Sequence, residues 1–563
     1  MTGARPGAEH VQEQVRQHVP DQASQYAPQH VPGPITGGES LVRALAAHGV
    51  THVFGIPGTH NLEIYRHLGA HGIDHTAPRH EQGAGYAADA YSRASGTPGV
   101  ALTTTGPGLL NIAAAVGQAY SDSVPLLVLS PGMPSNHPVQ STGLLHETRS
   151  QTGALSHVAG FSHRVSSVEE IEIAVARAFT YFRTGRPRPA HIEVPLDLLE
   201  AAYRPGAPRR APTVAPHAAD SSAIERAVRA LAAAERPGIV LGGGALAASG
   251  DCLALAERLA APVVTTANGK GVVDEHHPLS LGVSLHSPAV QEWLADRDVL
   301  FAVGTELAES DFWSAPPAPR GRLVRLDIDP AQMYTGIPAD VSLVGDARAT
   351  LPLLVGALPG APSGRTEESA RAVTDLRAKR DAETRTRDLR WTPWLDVIGR
   401  VLADDAILTS DSAQCCYYGA LPHLRTGARG RFLHPTGFGT LGYALPAAVG
   451  AKVAFPARQV VALSGDGGLQ FSVQELATAA QLGLPLPVVV FDNGGYGEIR
   501  DEMIARGDTP LAVDHAPVDL PALARAYGGN GVRVSRVDEL ASVLVRALDT
   551  PAVTVITIAE EGA

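Results

Sequence analysis

Two glycine turns in the C-terminal third carry the residues best suited to chemistry. Gly465-Asp466-Gly467-Gly468 follows the apolar run Val460 to Leu463, and Asp492-Asn493-Gly494-Gly495 follows a second run, Val488 to Phe491. Short apolar runs of this kind suit buried parallel strands. Glycines at a strand's C-terminal end let the backbone approach a phosphate closely, and the helix N-terminus behind them favours anionic oxygen. Asp466 and Asn493 stand 27 residues apart, room for a strand, a helix over roughly Phe471 to Leu482 and a second strand. A right-handed crossover then brings both residues to one edge of adjacent strands. One carboxylate, one amide oxygen and the Gly495 carbonyl form a hard-oxygen set suited to Mg²⁺, with phosphate oxygens and water in the remaining positions. Taken alone, GDGG is equally a plain turn and Asn493 a turn former.

The full arrangement resembles the diphosphate-binding motif of the thiamine-diphosphate enzymes, which opens with GDG and closes with Asn. Other segments resemble the same family. Arg79-His80-Glu81-Gln82-Gly83-Ala84 and the residues through Arg93 look like its glutamate-bearing helix. Val53 to Gly58 is similar to its first strand and turn, and Thr103 to Asn111 to its TSGPG loop. The resemblance implies that Glu81 contacts the aminopyrimidine of thiamine diphosphate and drives the imino tautomer that removes the C2 proton. It implies that Leu441, 25 residues before Asp466, is the apolar wedge under the cofactor, and that the Gly439 carbonyl meets the 4′-amino group. Gly465, Asp466, Gly467, Gly468, Asn493 and Gly495 would hold the diphosphate, with Asp466, Asn493 and Gly495 on the metal.

Composition narrows the alternatives. At 563 residues the chain is too long for one core and suggests about three domains. With 44% hydrophobic and 18% charged residues it reads as a globular enzyme. A net charge of −12 without basic blocks argues against nucleic acid. Three cysteines cannot build a disulfide framework, which fits a reducing cytoplasmic setting. No apolar run is long enough for a membrane span. Residues 1–34, rich in Gln, His and Pro, read as a disordered tail.

Strand-like runs alternating with helical patterns predict three doubly wound α/β domains: residues 35–203, 217–358 and 391–559. Proline-rich stretches near 204–216 and 359–364 separate them. Gly242-Gly243-Gly244 follows a strand but lacks the full dinucleotide fingerprint. The synthase branch of the family holds FAD in its middle domain. Here Gly304 to Phe312 lacks the Arg-Phe-Asp-Asp-Arg-like stretch that goes with it, so FAD is not expected. Family sites lie between subunits, which implies a homodimer or homotetramer with Glu81 and Asp466 meeting across chains.

The resemblance implies attack on a 2-oxo acid and loss of CO₂. Protonation to an aldehyde competes with acetolactate-synthase-like capture of a second oxo acid. Ser130-Pro131 stands where synthases usually carry Gln, which favours the aldehyde. Gly497 to Met503 resembles the G-x-I-R-D-x-M run of decarboxylases acting on 5-guanidino-2-oxopentanoate, and Leu145-His146-Glu147 their Leu-His-Glu segment. A guanidinium tail needs a carboxylate, ideally bidentate. Glu147 and Glu498 are the candidates, though either also reads as an ordinary surface or helix-start carboxylate. His60, His137 and His146 are candidate proton relays.

Overall fold

Strands such as Val460-Val461-Ala462-Leu463 carry no polar alternation, so both of their faces must be covered, and sheets between helices are the solution. The computed structural model describes residues 33–138 and 141–560, and three six-stranded parallel sheets lie among them. Of the expected N-terminal tail, all but its last two residues fall outside the described ones. No described helix is long and apolar enough to cross a membrane.

The first sheet comprises β1 (His52–Gly55), β2 (Asp74–Thr76), β3 (Gly99–Leu102), β4 (Leu126–Gly132), β5 (Phe161–Arg164) and β6 (Ala190–Pro195), in the order β2-β1-β3-β4-β6-β5. The central sheet comprises β7 (Pro237–Leu241), β8 (Val263–Thr265), β9 (Ser280–Val283), β10 (Val299–Val303), β11 (Arg322–Asp327) and β12 (Val341–Val344), in the order β9-β8-β7-β10-β11-β12. The third comprises β13 (Ile407–Ser410), β14 (Arg431–Leu433), β15 (Val460–Gly465), β16 (Leu486–Asp492), β17 (Asn530–Val534) and β18 (Val553–Ala559), in the order β14-β13-β15-β16-β18-β17. The outer two sheets share one topology. The central one has the order of a dinucleotide-binding fold.

One expected element differs. In place of a helix over Phe471 to Leu482, a short helix, Asp466–Leu469, starts directly on the glycine turn, and a second, Glu475–Gln481, follows after a break. The turn's own glycines enter the helix, so its first N–H groups stay at the strand edge.

The first and third domains join through two helices rich in small residues, Glu81–Ser95 and Ala444–Ala454. Ala84, Ala87 and Ala88 share one buried cluster with Ala444, Ala447 and Ala448. A Cβ at Gly450 would lie 1.9 Å from the Ala87 carbonyl oxygen, so only glycine allows this approach. Arg93, near the end of the first helix, donates to the His434 carbonyl at 3.0 Å and to Asn268 Oδ1 at 2.9 Å, touching all three domains. Asp122 lies 3.6 Å from Arg93 and accepts from Asn268, Thr436 N and Gly437 N. Beside it, burial raises the Asp89 carboxyl to about 6, against the pull of Arg93 and a 2.6 Å bond from the Tyr443 hydroxyl. The junction thus places one arginine among two buried carboxylates, with Asp89 Oδ2 left without a hydrogen-bond partner among the described residues.

Candidate active site

In a parallel sheet the loops leaving the C-terminal strand ends share one edge. Gly465 on β15 pairs in register with Phe491 on β16, which sets Asp466 and Asn493 side by side on that edge of the third domain. The Asn493 N–H donates to Asp466 Oδ1 at 3.2 Å, and the Gly495 N–H to Asn493 Oδ1 at 3.3 Å. The Gly495 carbonyl oxygen is 3.2 Å from where a Gly467 Cβ would stand, so it faces the GDGG turn. Gly495 itself has φ +152° and would place a Cβ 2.0 Å from the Val513 carbonyl, so no side chain fits there. Burial raises the Asp466 carboxyl above the usual range, with Asp492 adding to it against the Asn493 hydrogen bond. A cation beside it would relieve that strain.

Among the described residues no three His, Cys, Asp or Glu side chains converge as a ready-made metal cage. A metal at Asp466 therefore needs amide, carbonyl and phosphate oxygens, which is Mg²⁺ chemistry. A cavity of about 260 Å³ opens beside Asp466, Asp492 and Gly494. The donors and the glycine turn fit a metal-bound diphosphate.

Residues that sequence reasoning missed organise this edge. Asp411 follows β13 and is buried; both its oxygens accept from Gly442 N, at 2.9 and 3.1 Å, and one from the Ser464 hydroxyl at 3.1 Å. It ties the Gly439–Leu441 segment to the strand bearing GDGG. Burial pushes its carboxyl up to about 6. Its signal in the sequence was present: a polar residue directly after a buried strand of the same sheet. Gln414 comes next along the chain and donates to both Glu498 and Asp501 at 2.9 Å.

In the first domain, Glu81 is buried at the start of its helix and its Oε2 accepts from Asn111 Nδ2 at 3.0 Å. Glu475 of the third domain accepts from Arg79 N and His80 N at 3.0 to 3.1 Å, and fixes the chain immediately before Glu81. No sequence pattern links residues this far apart. His60 and His146 both contact the Thr105 hydroxyl, at 2.6 and 3.2 Å, with ring centroids 5.4 Å apart. Burial, and then His146, lower the His60 imidazole. These two stand together on the loops near Glu81. His137 instead pairs with Glu147 at 3.0 Å, and Glu147 also accepts from the Thr142 and Gly143 amides. That carboxylate is engaged by its own loop. Glu498 is a different case: it begins the Gly497–Ala505 helix directly behind the Asn493 turn.

Gly439 and Phe438 are exposed, and Leu441 is half-buried beside Thr440, whose hydroxyl meets Tyr86. Within one chain no hydrogen bond joins Glu81 to Asp466, Asn493 or Gly495 among the described residues.

Comparison with known proteins is consistent across the three domains. Residues 35–153 match the N-terminal TPP binding domain of thiamine pyrophosphate enzymes, 224–354 their central domain and 414–558 their C-terminal TPP binding domain. The chain belongs to the thiamine pyrophosphate enzyme family. It is 42% identical to the probable 2-ketoarginine decarboxylase AruI of Pseudomonas aeruginosa, over 93% of this chain and 94% of that one. It is 34% identical to the acetolactate synthase large subunit of Parasynechococcus marenigrum, over 94% of this chain and 88% of that one. Against the acetolactate synthase isozyme 3 large subunit of Escherichia coli the identity is 32%, over 92% of each. The thiamine pyrophosphate enzymes of this branch act on 2-oxo acids by decarboxylation or carboligation, and this chain carries that general activity.

Two substitutions separate proton chemistry from cofactor retention. Glu81→Gln is isosteric and keeps the Asn111 contact through its amide oxygen. It should retain bound thiamine pyrophosphate while C2 proton exchange, followed by NMR in D₂O, slows by orders of magnitude. Unchanged exchange would remove Glu81 from the mechanism. Asp466→Ala should weaken Mg²⁺ and cofactor binding together, with activity partly restored at saturating concentrations of both. Wild-type affinities in calorimetric titration would place the metal elsewhere.

Proposed function

We propose that this enzyme decarboxylates a 2-oxo acid with a guanidinium tail, 5-guanidino-2-oxopentanoate, to the aldehyde and CO₂. The observation that carries this reading is Glu498. Its carboxylate sits next to the Asn493 turn, held by Gln414, Tyr417 and Tyr418, and forms no ion pair among the described residues. A half-buried carboxylate without a resident cation is suited to receive one from the substrate. The 42% identity to a probable 2-ketoarginine decarboxylase supports the same substrate.

Thiamine diphosphate, when bound, would supply the carbon nucleophile and electron sink that decarboxylation of a 2-oxo acid needs. Asp466, Asn493 and the Gly495 carbonyl would hold its diphosphate through Mg²⁺. Glu81 would exchange a proton with the aminopyrimidine, and Leu441 and the Gly439 carbonyl would hold the cofactor against the third domain. His60 and His146, joined through Thr105, would deliver the proton that completes the aldehyde. The reaction consumes one proton and releases one CO₂ per oxo acid and needs no oxidant. The acetolactate synthase relatives keep carboligation as the second reading.

We also propose that the site is shared between two chains. Leu110, Phe438, Phe471 and Ile499 border the two loop sets and are each about half exposed, an apolar rim that a second copy would cover. Chains carrying Glu81→Gln and Asp466→Ala, co-expressed with different tags and purified as the mixed dimer, should recover about half of the wild-type sites. A shared site pairs the intact Glu81 of one chain with the intact Asp466 of the other. Sites confined to single chains would give no recovery.

The substrate reading is tested by Glu498→Gln against a panel of 2-oxo acids. kcat/KM for the guanidino acid should fall roughly ten- to a hundredfold, the worth of a charge-assisted pair at about 1.5–3 kcal/mol. Turnover of 4-methyl-2-oxopentanoate should hold or rise. Equal losses on both substrates would give Glu498 a structural role instead, and hydroxy-oxo acid as the main product would favour carboligation.

A further inference from the structure

Glu498 is held by two tyrosines whose rings meet a tryptophan of the central domain. Tyr418 OH donates to its Oε1 at 2.7 Å and Tyr417 OH to its Oε2 at 3.1 Å. The two tyrosine rings meet edge to face at 4.6 Å. Trp313 reaches across from the central domain and stands edge to face with Tyr418 at 4.7 Å and with Tyr417 at 6.3 Å. It ends the short Glu309–Phe312 helix in a left-handed conformation, φ +55°, an unusual cost for a bulky residue. His286 stacks on its ring at 4.2 Å and fixes its orientation, yet 42% of Trp313 remains exposed.

A large ring held in a disfavoured backbone state, braced on one side and open on the other, is poorly explained by core packing. Tyr418 shows that these rings accept guanidinium groups: Arg387 lies 3.9 Å from its centroid. That arginine is already paired with Asp388 at 2.7 Å and leaves Glu498 without a cation. Gln414 bridges Glu498 to Asp501, and Glu502 follows Glu498 by one helical turn, so three carboxylates cluster on this helix.

We propose that Trp313, Tyr417 and Tyr418 form an aromatic cage that, with Glu498, selects a planar cationic tail on the substrate. The cage rests on the substrate reading given above and adds to it a selectivity determinant from the central domain. A guanidinium presents N–H groups to the carboxylate and its flat face to the rings, whereas a neutral urea of the same shape gains little from either. Trp313 contributes to recognition only; it is remote in the chain from every residue assigned to the proton chemistry.

The test compares 5-guanidino-2-oxopentanoate with its neutral near-isostere, 5-ureido-2-oxopentanoate. Wild type should prefer the guanidino acid in kcat/KM. Trp313→Leu should narrow that preference by about three- to thirtyfold, the range of a desolvated cation–π contact, mostly through KM. Trp313→Phe should restore part of it, which controls for misfolding. Calorimetric binding of 5-guanidinopentanoate, which has no oxo group to react, should weaken in parallel. A wild-type enzyme without preference overturns the substrate reading and the cage with it. A wild-type preference that survives Trp313→Leu within twofold overturns the cage alone.

Discussion

The close packing of the Glu81–Ser95 helix on the Ala444–Ala454 helix is the constraint on which the rest of the site depends. Their small residues let two backbones approach until only a glycine, Gly450, fits against the Ala87 carbonyl. That distance sets where Glu81 emerges at one end and where the Thr440–Tyr443 segment lies along the flank, through the contacts of Tyr86 with Thr440 and of Asp89 with Tyr443. A larger side chain at the seam would move both functional edges at once, because cores transmit strain instead of absorbing it.

Buried carboxylates do most of the positioning around that seam. Asp122 and Arg93 hold the three domains at one point, Glu475 fixes the chain entering the Glu81 helix, and Asp411 binds the Gly442 amide. Asp122, Glu475 and Asp411 each accept several hydrogen bonds, main-chain donors among them. Such groups are costly when left unpaired, so each specifies one arrangement of its loop. The carboxylates proposed for chemistry are treated differently. Glu81 makes one side-chain hydrogen bond, Asp466 is raised by burial, and Glu498 has donors but no cation. Groups whose charge is incompletely compensated are the ones prepared for a metal, a cofactor or a substrate.

The proposed substrate preference follows from the same logic. Of the two carboxylates that could receive a guanidinium, Glu147 is consumed by the Thr142 and Gly143 amides and by His137. Its loop would lose its shape if the carboxylate turned away. Glu498 is held by side-chain hydroxyl and amide groups that can reorient around a ligand. The difference lies in what each oxygen already does, since neither residue type nor chain position distinguishes them.

The fold class and the GDGG turn are legible in the amino-acid order alone. Unbroken apolar strands require parallel sheets covered on both faces, and GDGG after one strand with Asn after the next leaves one place for Asp466 and Asn493. Local order made these legible, because strand, turn and strand are neighbours in the chain. The helix after GDGG starts earlier than its apolar pattern predicts, since the turn's own glycines enter it. The placement of Glu475 and Trp313 comes from the packing of the domains, whereas Glu147 is engaged by the fold of its own loop. Glu475 acts on backbone amides 395 residues away, and Trp313 meets Tyr418 across a domain boundary. Such contacts depend on how completed domains pack, and no periodicity or spacing along the chain encodes them.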